Sequence, residues 1–599
     1  MKITMGRLNA AIAGAFALGL GLSTAHAEAP KCQLRMVVEL PVTMVGMAPT
    51  IPVKINGKET RLMADSGAFY STLPGSAPET FGLQTSMAPV GFYVKGANGT
   101  AQASIGKAKD FEIAAVPLKN IDFLIAGRDL MPGVSGMIGQ NILGIGDVEY
   151  DLANGAIRLF KPKDCGKAAL SYWTNGKIPS ILPIDEFSPT RPRTTSTAWV
   201  NGNKIKVMFD TGASFSVLKR SAAEKVGIQI NSDDVEPGGL SSGIGKRLAE
   251  SWISPVEQFA IGDEQVLHTR LRIGDVDLGE ADMLIGADFF LSHRVYVANS
   301  QRKLYFTYNG GPVFKLNRSD DTPPSKAKLA DTENLDADGY SRRASAYMAR
   351  RDYEAAEADY GRALGLEPKK GSILLDRAKA RLSLGRPVLA LEDLTMAIGL
   401  DPKNAEAVLF RGQIYLREGD KAKARSDFEL AVMAAPDSPD VRRTISMLYE
   451  REKDYPAAIA ELDAWFVRFP KNDRQAEVRN ERCWLLGMQG TNLGKALEDC
   501  NIALKVGRNN SAFLDSRGMV NLRLGNLDAA IADYDAAIKL QPKQAWSLYG
   551  RGLAKQKKGL TSEGAADIAA GLELKADIKA TAKQIGLIDD TGALKSPPH

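Results

Sequence analysis

Histidine and cysteine are scarce in this chain of 599 residues, which contains four of each. Because His26 and His599 lie near the two ends, only His268 and His293 stand well inside the chain. These two do not form a metal-ligand cluster, and neither belongs to an HExxH motif. The sequence also lacks a GxSxG motif that would frame a serine nucleophile. We therefore expect no metal and no cofactor, and any hydrolytic chemistry should depend on carboxylates.

A charge excess and long apolar runs are missing as well. The formal net charge of +5 gives no reason to expect a nucleic-acid or anionic-membrane partner. The apolar stretch over residues 10–22 is too short for a stable membrane span, but it follows Lys2 and Arg7 and precedes Ala25-His26-Ala27. This pattern predicts a cleaved signal peptide over residues 1–27 and a periplasmic or secreted protein. An uncleaved N-terminal anchor is the alternative.

The chain is too long for a single hydrophobic core, and three regions differ in their residue pattern. Residues 33–310 contain short apolar and β-branched runs broken by Gly, Asn and Pro, which predict an all-β region. Residues 311–335 are polar and contain Pro323-Pro324, which predicts a linker. From residue 336 to about residue 580 the apolar residues recur with helical spacing.

The β region is a tandem duplication. Asn56-Gly57 and Asn201-Gly202 each predict a hairpin with a type I′ turn, which needs positive φ angles. In both copies the hairpin is followed by a short apolar run and then by an aspartate, Asp65 or Asp210. The aspartate comes nine residues after the hairpin asparagine. The two predicted domains cover residues 33–165 and 180–310.

Two short motifs recur at matching places in both copies. One is a D-[ST]-G-A tetrapeptide that begins at Asp65 or Asp210, and the other is an apolar-apolar-Gly sequence that ends at Gly139 or Gly286. Together they resemble the retropepsin-like aspartic peptidases of the bacterial aspartyl protease families. The resemblance implies two all-β acid-protease barrels with an Asp-Asp catalytic dyad. It further implies that Asp65 and Asp210 form the dyad. The supporting residues would be Ser66, Gly67, Thr211, Gly212 and Ser214. The candidate flap would contain Ala97, Asn98, Gly99 and Thr100.

Two facing carboxylates suit the hydrolysis of a peptide bond by water. Because they cannot both ionise cheaply, they share a proton: the ionised partner accepts a proton from water while the protonated partner polarises the scissile carbonyl. We expect Asp65 and Asp210 to meet within one chain, where their effective concentration is high. Pairing between equivalent domains of two chains is the alternative.

The two copies also differ in ways that affect the expected site. Phe69 stands in the first copy where the second has Ser214, so a hydroxyl is missing from one half. The second candidate flap, residues 238–245, is rich in glycine and lacks the Asn-Gly-Thr sequence of the first. One of the two halves is therefore a candidate for a degraded site.

The helical region repeats every 34 residues, as Pro368, Pro402, Pro436 and Pro470 show. This period, with small alanines at fixed places, resembles the tetratricopeptide repeat and implies an all-α solenoid of about seven repeats that binds a protein partner. Arginines of first helices also precede aspartates of second helices by a constant spacing, which predicts an ion pair within each repeat; a charged groove for a ligand is the alternative. The predicted pairs are Arg343–Asp359, Arg377–Asp393, Arg411–Asp427, Arg517–Asp533 and Arg551–Asp567.

The four cysteines are placed as two pairs. Cys32 and Cys165 bracket the first β domain, and Cys483 and Cys500 lie on successive helices of one repeat. In an oxidising compartment we expect two disulfides, against the alternative of four buried thiols. Because Cys483 stands where other repeats carry the arginine, the second disulfide should replace the ion pair there.

These observations predict an exported aspartic endopeptidase that cleaves a peptide or protein substrate through Asp65 and Asp210. The repeats would bind a partner protein or present the substrate. The alternative is a non-catalytic scaffold in which the β domains bind peptide and the repeats bind protein.

Overall fold

The structure is a computed structural model, and its two compact units divide just before Asn334. None of the helices within the described residues is long and apolar enough to span a membrane. Residues 1–27, assigned to a signal peptide, lie outside the described residues. The described residues are 32–89, 93–96, 99–127, 131, 133–166, 168–174, 176, 178–186, 193–230, 232, 234–241, 249–314, 316, 334–472, 474–507 and 510–595.

The first half of the β unit contains a closed six-stranded barrel. Its elements, in chain order, are β1 (Gln33–Pro41), β2 (Thr43–Val45), β3 (Ala48–Ile55), β4 (Lys58–Ala64), β5 (Thr72–Leu73), α1 (Ala77–Phe81), β6 (Gln84–Met87), β7 (Tyr93–Gly96), β8 (Gly99–Gln102), β9 (Ser104–Ile113), β10 (Val116–Ile125), β11 (Val134–Ile138), α2 (Gln140–Leu143), β12 (Asp147–Asp151) and β13 (Ala156–Lys163). The order β3-β4-β11-β5-β10-β9 closes because β9 also pairs with β3. Ile51, Leu62 and Phe111 are buried in its core.

The second half repeats this architecture. Its elements are β14 (Ser180–Pro183), β15 (Thr195–Val200), β16 (Asn203–Phe209), β17 (Val217–Lys219), α3 (Arg220–Lys225), β18 (Glu236–Ser241), β19 (Ala249–Ile261), β20 (Glu264–Gly274), β21 (Met283–Ile285), α4 (Ala287–Ser292), β22 (His293–Ala298) and β23 (Lys303–Tyr308). The order β15-β16-β21-β17-β20-β19 closes through the pairing of β15 with β19. Both predicted hairpin turns form, since Asn56, Gly57, Asn201 and Gly202 have φ angles of +49°, +81°, +50° and +75°.

A six-stranded antiparallel sheet joins the two halves, in the order β1-β13-β12-β22-β23-β14. Three strands come from each half, and β12 meets β22 at the centre, with Tyr150 opposite Val295. The disulfide Cys32–Cys165 links the start of β1 to the segment after β13. Because the halves share this sheet, the residues that each contributes to the centre are held in a fixed relation.

The predicted linker over 311–335 begins with residues that include buried apolar side chains. Phe314 is buried and meets Phe259 of the second barrel edge to face, with ring centroids 4.9 Å apart. Leu316 is also buried. The Phe314–Phe259 contact therefore keeps this part of the chain packed on the second barrel.

The second unit is an array of seven helix pairs followed by one short helix. The helices are α5 (Ala337–Ala349), α6 (Tyr353–Leu366), α7 (Gly371–Ser383), α8 (Pro387–Leu400), α9 (Ala405–Arg417), α10 (Lys421–Ala434), α11 (Pro439–Arg451), α12 (Tyr455–Arg468), α13 (Gln475–Gln489), α14 (Leu493–Val506), α15 (Ser511–Leu524), α16 (Leu527–Leu540), α17 (Ala545–Lys557), α18 (Thr561–Leu574) and α19 (Ile578–Gln584). Two closed barrels followed by this array confirm the predicted fold class.

The predicted ion pairs between the two helices of a repeat are present. Arg411, for example, donates from Nε and Nη2 to the two carboxylate oxygens of Asp427 at 2.9 and 2.7 Å. The same two-point contact occurs in four other repeats: Arg343–Asp359, Arg377–Asp393, Arg517–Asp533 and Arg551–Asp567. Because the arginines are satisfied by their own repeats, the structure favours the structural interpretation over a ligand groove.

The disulfide Cys483–Cys500 forms, but it does not replace the ion pair of its repeat as predicted. Arg482, the residue before Cys483, donates to both oxygens of Asp499 at 2.7 and 2.9 Å. Arg479 makes a further bond to the same carboxylate. In this repeat the arginine of the ion pair stands one position earlier in α13 than the pattern predicts. Both the ion pair and the disulfide therefore join α13 to α14.

The C-terminal segment, residues 578–595, folds back over several repeats. Its Ile578, Leu587 and Ile588 are buried in one apolar cluster with residues of α13, α15 and α17. Arg523 at the end of α15 donates to the carbonyl oxygen of Ile585 at 2.7 Å. Lys453, in the turn of the fourth repeat, donates to Gln584 across 131 positions of sequence. The array therefore extends beyond its last predicted repeat.

Candidate active site

Each of the two sequence-predicted aspartates follows the end of a buried strand. Asp65 comes directly after β4 and Asp210 directly after β16. Their backbone N–H groups donate to Ile138 and Ile285 of the neighbouring parallel strands, both at 2.9 Å. The barrels therefore fix the two aspartates in equivalent backbone positions.

Reciprocal hydrogen bonds lock the two aspartate loops together. The Ser66 N–H donates to Thr211 Oγ1 at 3.0 Å, and the Thr211 N–H donates to Ser66 Oγ at 2.9 Å. Thr211 Oγ1 then donates to the carbonyl of Ala64, and Ser66 Oγ donates to that of Phe209. Each hydroxyl reaches the opposite strand end, so neither loop can move without the other.

The glycine of each motif is the point of closest approach between the loops. A Cβ atom on Gly67 would overlap the carboxylate of Asp210, and one on Gly212 would overlap the carboxylate of Asp65. Only glycine leaves room for the opposing side chain at these positions. The carboxylates of Asp65 and Asp210 consequently face each other within one chain.

The backbone holds one oxygen of each carboxylate. Asp65 Oδ1 accepts from the N–H groups of Gly67 and Ala68 at 2.9 and 2.7 Å, and Asp210 Oδ1 accepts from Gly212 at 2.9 Å. Burial raises the pKa of Asp65 well above its usual value, and the neighbouring charge of Asp210 raises it further. Burial also raises the pKa of Asp210. Two such carboxyl groups titrate as a pair that retains one proton over a wide pH range.

Sequence comparisons assign both halves to the same kind of domain. Residues 51–144 match the gag-polyprotein aspartyl protease family, and residues 196–289 match a family described as aspartyl protease. Residues 341–405, 375–439 and 411–473 match the tetratricopeptide repeat, and residues 520–559 match a TPR repeat family. The chain carries two tandem aspartyl protease domains followed by tetratricopeptide repeats.

Solved structures similar to the chain include several helical repeat proteins. A tetratricopeptide repeat protein from Parabacteroides merdae is 19% identical over 42% of this chain and 98% of its own, with a TM-score of 0.34. The Pseudomonas aeruginosa protein pilF is 18% identical over 37% of this chain and 96% of its own, with a TM-score of 0.29. No curated protein sequence matches the chain significantly.

Behind each aspartate, the two protease domains use a hydrogen-bonded pair that the sequence analysis missed. In the first domain, Asn141 Oδ1 accepts from the N–H and hydroxyl groups of Ser71 at 2.7 and 2.9 Å. In the second, Asp288 accepts from the same groups of Ser216 at 3.0 and 2.7 Å. The signal was present in the sequence, because both Asn141 and Asp288 lie two residues after the glycine of the apolar-apolar-Gly motif.

A second missed feature lies under the first protease domain's aspartate. Gln140 Nε2 donates to the carbonyl oxygen of Ser66 at 2.7 Å, and both residues are buried. Burial raises the pKa of Tyr150, on β12, and the nearby charges of Asp65 and Asp210 raise it further. Neither residue belongs to a recurring motif, and only the fold brings them to the dyad.

The candidate flap of the first protease domain is only partly within the described residues, where β7 pairs with β8. Gly99 and Thr100 begin β8, while Ala97 and Asn98 lie outside the described residues. In the second domain the corresponding hairpin joins β18 and β19, and residues 242–248 between them also lie outside that range. Ser214, named as a supporting residue, is exposed at the surface of the second domain.

The described residues contain no group of three or more His, Cys, Asp or Glu side chains arranged to hold a metal ion. The site itself brings together the two carboxyl groups of Asp65 and Asp210. With one proton between them, they offer one base and one acid within reach of a single bound water.

Proposed function

We propose that this chain is an exported aspartic endopeptidase in which Asp65 and Asp210 activate water to hydrolyse peptide bonds. The observation that carries the proposal is the pairing of two facing, partly buried carboxylates from tandem domains within one chain. Such a pair would be costly to keep in a domain that only binds peptide, because each carboxyl disfavours ionisation of the other.

The hydrogen bonds at the dyad suggest which carboxylate oxygens are held by the backbone and which contact the water molecule. Asp65 Oδ1 and Asp210 Oδ1 accept backbone N–H groups, and we assign the Oδ2 atoms to the water molecule. The ionised carboxylate accepts a proton as the water oxygen attacks the scissile carbonyl, while the protonated carboxyl donates to the carbonyl oxygen. The resulting intermediate breaks its C–N bond after the nitrogen receives a proton, and the pair returns to its starting state.

Export to the periplasm or the exterior is part of the same proposal. The two disulfides, Cys32–Cys165 and Cys483–Cys500, support it, because disulfides persist in oxidising compartments. The repeats supply a protein-interaction region, which we propose binds a partner or presents the substrate to the dyad.

The test is cleavage of an unfolded protein mixture between pH 3 and pH 7. Residues 28–599 would be compared with the single variants Asp65→Asn and Asp210→Asn, and with Asp263→Asn as a control at an exposed aspartate. We expect cleavage by the unaltered protein and the control, and none by either dyad variant. If only one of the two dyad substitutions abolished cleavage, the intramolecular pair would be wrong.

A folded protein that cleaves nothing at any pH would refute the peptidase and leave the non-catalytic scaffold. Circular dichroism and resistance to an added protease would establish that the preparation is folded. Binding of unfolded protein that survives both aspartate substitutions would then favour the scaffold.

A further inference from the structure

Arg193 is a half-buried cation near the dyad that has an aromatic neighbour in place of an acidic one. Its Cζ atom lies over the ring of Phe69, 5.0 Å from the centroid. Arg193 Nε is buried without a hydrogen bond, and within the described residues no carboxylate forms an ion pair with this side chain. The arginines of the repeats differ, since Arg411, for example, donates to both carboxylate oxygens of Asp427. An unpaired, partly desolvated cation is costly, and an arriving carboxylate removes that cost.

Arg193 stands between the segments that hold the two aspartates. The carbonyl oxygen of Thr194, the next residue, accepts from the N–H of Phe209 at 3.0 Å, and Phe209 is the last residue of β16. Phe69 lies four residues after Asp65, directly after the alanine whose N–H holds Asp65 Oδ1. The second protease domain therefore supplies a cation that lies over the aspartate loop of the first. A peptide that places its scissile bond at the dyad must run past this loop.

The equivalent place on the other side of the dyad carries no charge. The pairing of β15 with β16 has the same register as that of β3 with β4, and by that register the counterpart of Arg193 is Ala48. Ala48 is buried in an apolar cluster. The counterpart of Phe69 is Ser214, which is exposed. A cation over an aromatic ring on one side thus corresponds to a methyl group and a hydroxyl on the other.

We propose that Arg193 is a specificity-determining residue that selects substrates with an aspartate or glutamate side chain on one side of the scissile bond. The proposal rests on the peptidase function proposed above. A planar guanidinium can stack on the Phe69 ring through one face and still donate two parallel N–H groups to a carboxylate. Because Ala48 and Ser214 offer no cation at the equivalent place, the preference belongs to one side of the scissile bond.

The test begins with residues 28–599 and the unfolded protein mixture used above. Mass spectrometry of the products gives the residues that flank each cleaved bond, and we expect Asp and Glu to be enriched on a single side. A synthetic peptide with Glu at the most enriched position is then compared with the same peptide carrying Gln. We expect kcat/KM to favour Glu by about tenfold, because one charge-assisted contact distinguishes the two peptides.

Variants of Arg193 show whether this residue causes the preference. Arg193→Gln should remove it, and Arg193→Glu should reverse it, so that a Lys peptide is cleaved faster than the Glu peptide. Arg193→Lys keeps the charge without the planar fork and should retain part of the preference. Arg220→Gln is the matched control, because the Arg220 guanidinium also lies over an aromatic ring, that of Trp252 at 5.5 Å, but is paired with Glu224. It should cleave with the original preference.

Two results would overturn the specificity role while leaving the peptidase intact. One is cleavage by the unaltered chain with no acidic enrichment on either side of the scissile bond. The other is an equal loss of kcat/KM for the Glu and Gln peptides in Arg193→Gln, which would make Arg193 a structural contact between the two domains. An unaltered chain that cleaves nothing would overturn both this proposal and the peptidase.

Discussion

At the scale of single residues, Asp288 is a buried carboxyl group where the first domain has the neutral amide of Asn141. Both side chains accept the N–H and hydroxyl of a serine, Ser71 or Ser216. Burial raises the pKa of Asp288 from 3.8 to about 6. The folded protein therefore binds this proton more tightly than the unfolded chain does, and the free energy of unfolding falls as the pH rises from about 4 through 6.

Asp288→Asn should stabilise the protein at neutral and alkaline pH. Two units of pKa correspond to about 3 kcal/mol, so we expect a gain of about 1–3 kcal/mol at pH 8 and little change at pH 4. Urea unfolding at both pH values measures it. The reverse substitution in the first domain, Asn141→Asp, should destabilise at pH 8 only. Equal effects at the two pH values would show that ionisation is not the cause.

Gly212→Ala tests the close approach of the two loops. The added methyl group overlaps the carboxylate of Asp65, and a displacement of about 1 Å at a reacting group can reduce the rate by about 100-fold. We expect kcat/KM to fall at least that far, with the far-ultraviolet circular dichroism unchanged. Gly166→Ala, where a methyl group meets no atom within 4 Å, serves as the control. Full activity in Gly212→Ala would contradict the geometry.

Residues differ in how far the sequence alone reveals them. Asp65, Asp210, Ser66 and Thr211 are recognisable because a short motif recurs in a duplicated domain, and the structure brings all four together. Tyr150 belongs to a strand, and the two aspartates whose charges raise its pKa lie far away in sequence. Nothing in its local pattern distinguishes it from an ordinary core tyrosine, so only the fold reveals its place.

At the scale of elements, the arginine–aspartate pairs act as braces between the two helices of a repeat. Asp427 is 4% exposed and Arg411 is 17% exposed in their side chains. A buried carboxylate that loses its partner is costly, whereas an apolar pair of similar size can replace the ion pair without loss. The brace therefore specifies how the helices fit more than it adds net stability.

Arg411→Met should lower the stability of the array by about 3 kcal/mol, because Asp427 remains buried and unpaired. The double variant Arg411→Met/Asp427→Leu should recover most of that loss. Urea unfolding followed by circular dichroism at 222 nm measures both. If the double variant were no more stable than the single one, the charge on Asp427 would not be the cause.

The spacing of these arginine–aspartate pairs could be predicted from the sequence, but the repeat that departs from it could not. Five repeats keep a separation of 16 between the paired residues. At α13 the arginine is Arg482, at a separation of 17, and the cysteine at the expected position, Cys483, does not indicate that the arginine stands one residue earlier. The periodicity of a sequence predicts which face of a helix is buried. It does not predict which of two adjacent positions makes a given contact, because the packing of neighbouring helices decides that.

At the scale of the whole molecule, the β unit and the helical array differ in how their contacts span the sequence. The central sheet pairs β1 with β13 and β12 with β22, so distant segments are joined throughout. In the array most contacts join neighbouring helices, as in other repeat proteins. The returning segment at 578–595 is the exception, and no periodic pattern predicts it.

Hydrogen exchange should reveal the effect of that segment. We expect the backbone amides of the fourth to seventh repeats to exchange together, while those of the first three exchange in steps from the N-terminal end. Mass spectrometry of the unaltered chain and of Ile588→Asp measures this. In the variant the last repeats should open separately, and an identical pattern in both proteins would contradict the expectation.

A stack of repeats behaves as a one-dimensional chain in which each unit gains stability only from its neighbours, and the ends open first. The contacts of Lys453, Arg523 and Ile588 give one end of this stack a link that skips over neighbours. At that end the last repeat is held by distant repeats as well as by its neighbour, so it cannot open first. The protein thus combines an N-terminal side of the array that can loosen in small steps with a C-terminal side that must open all at once.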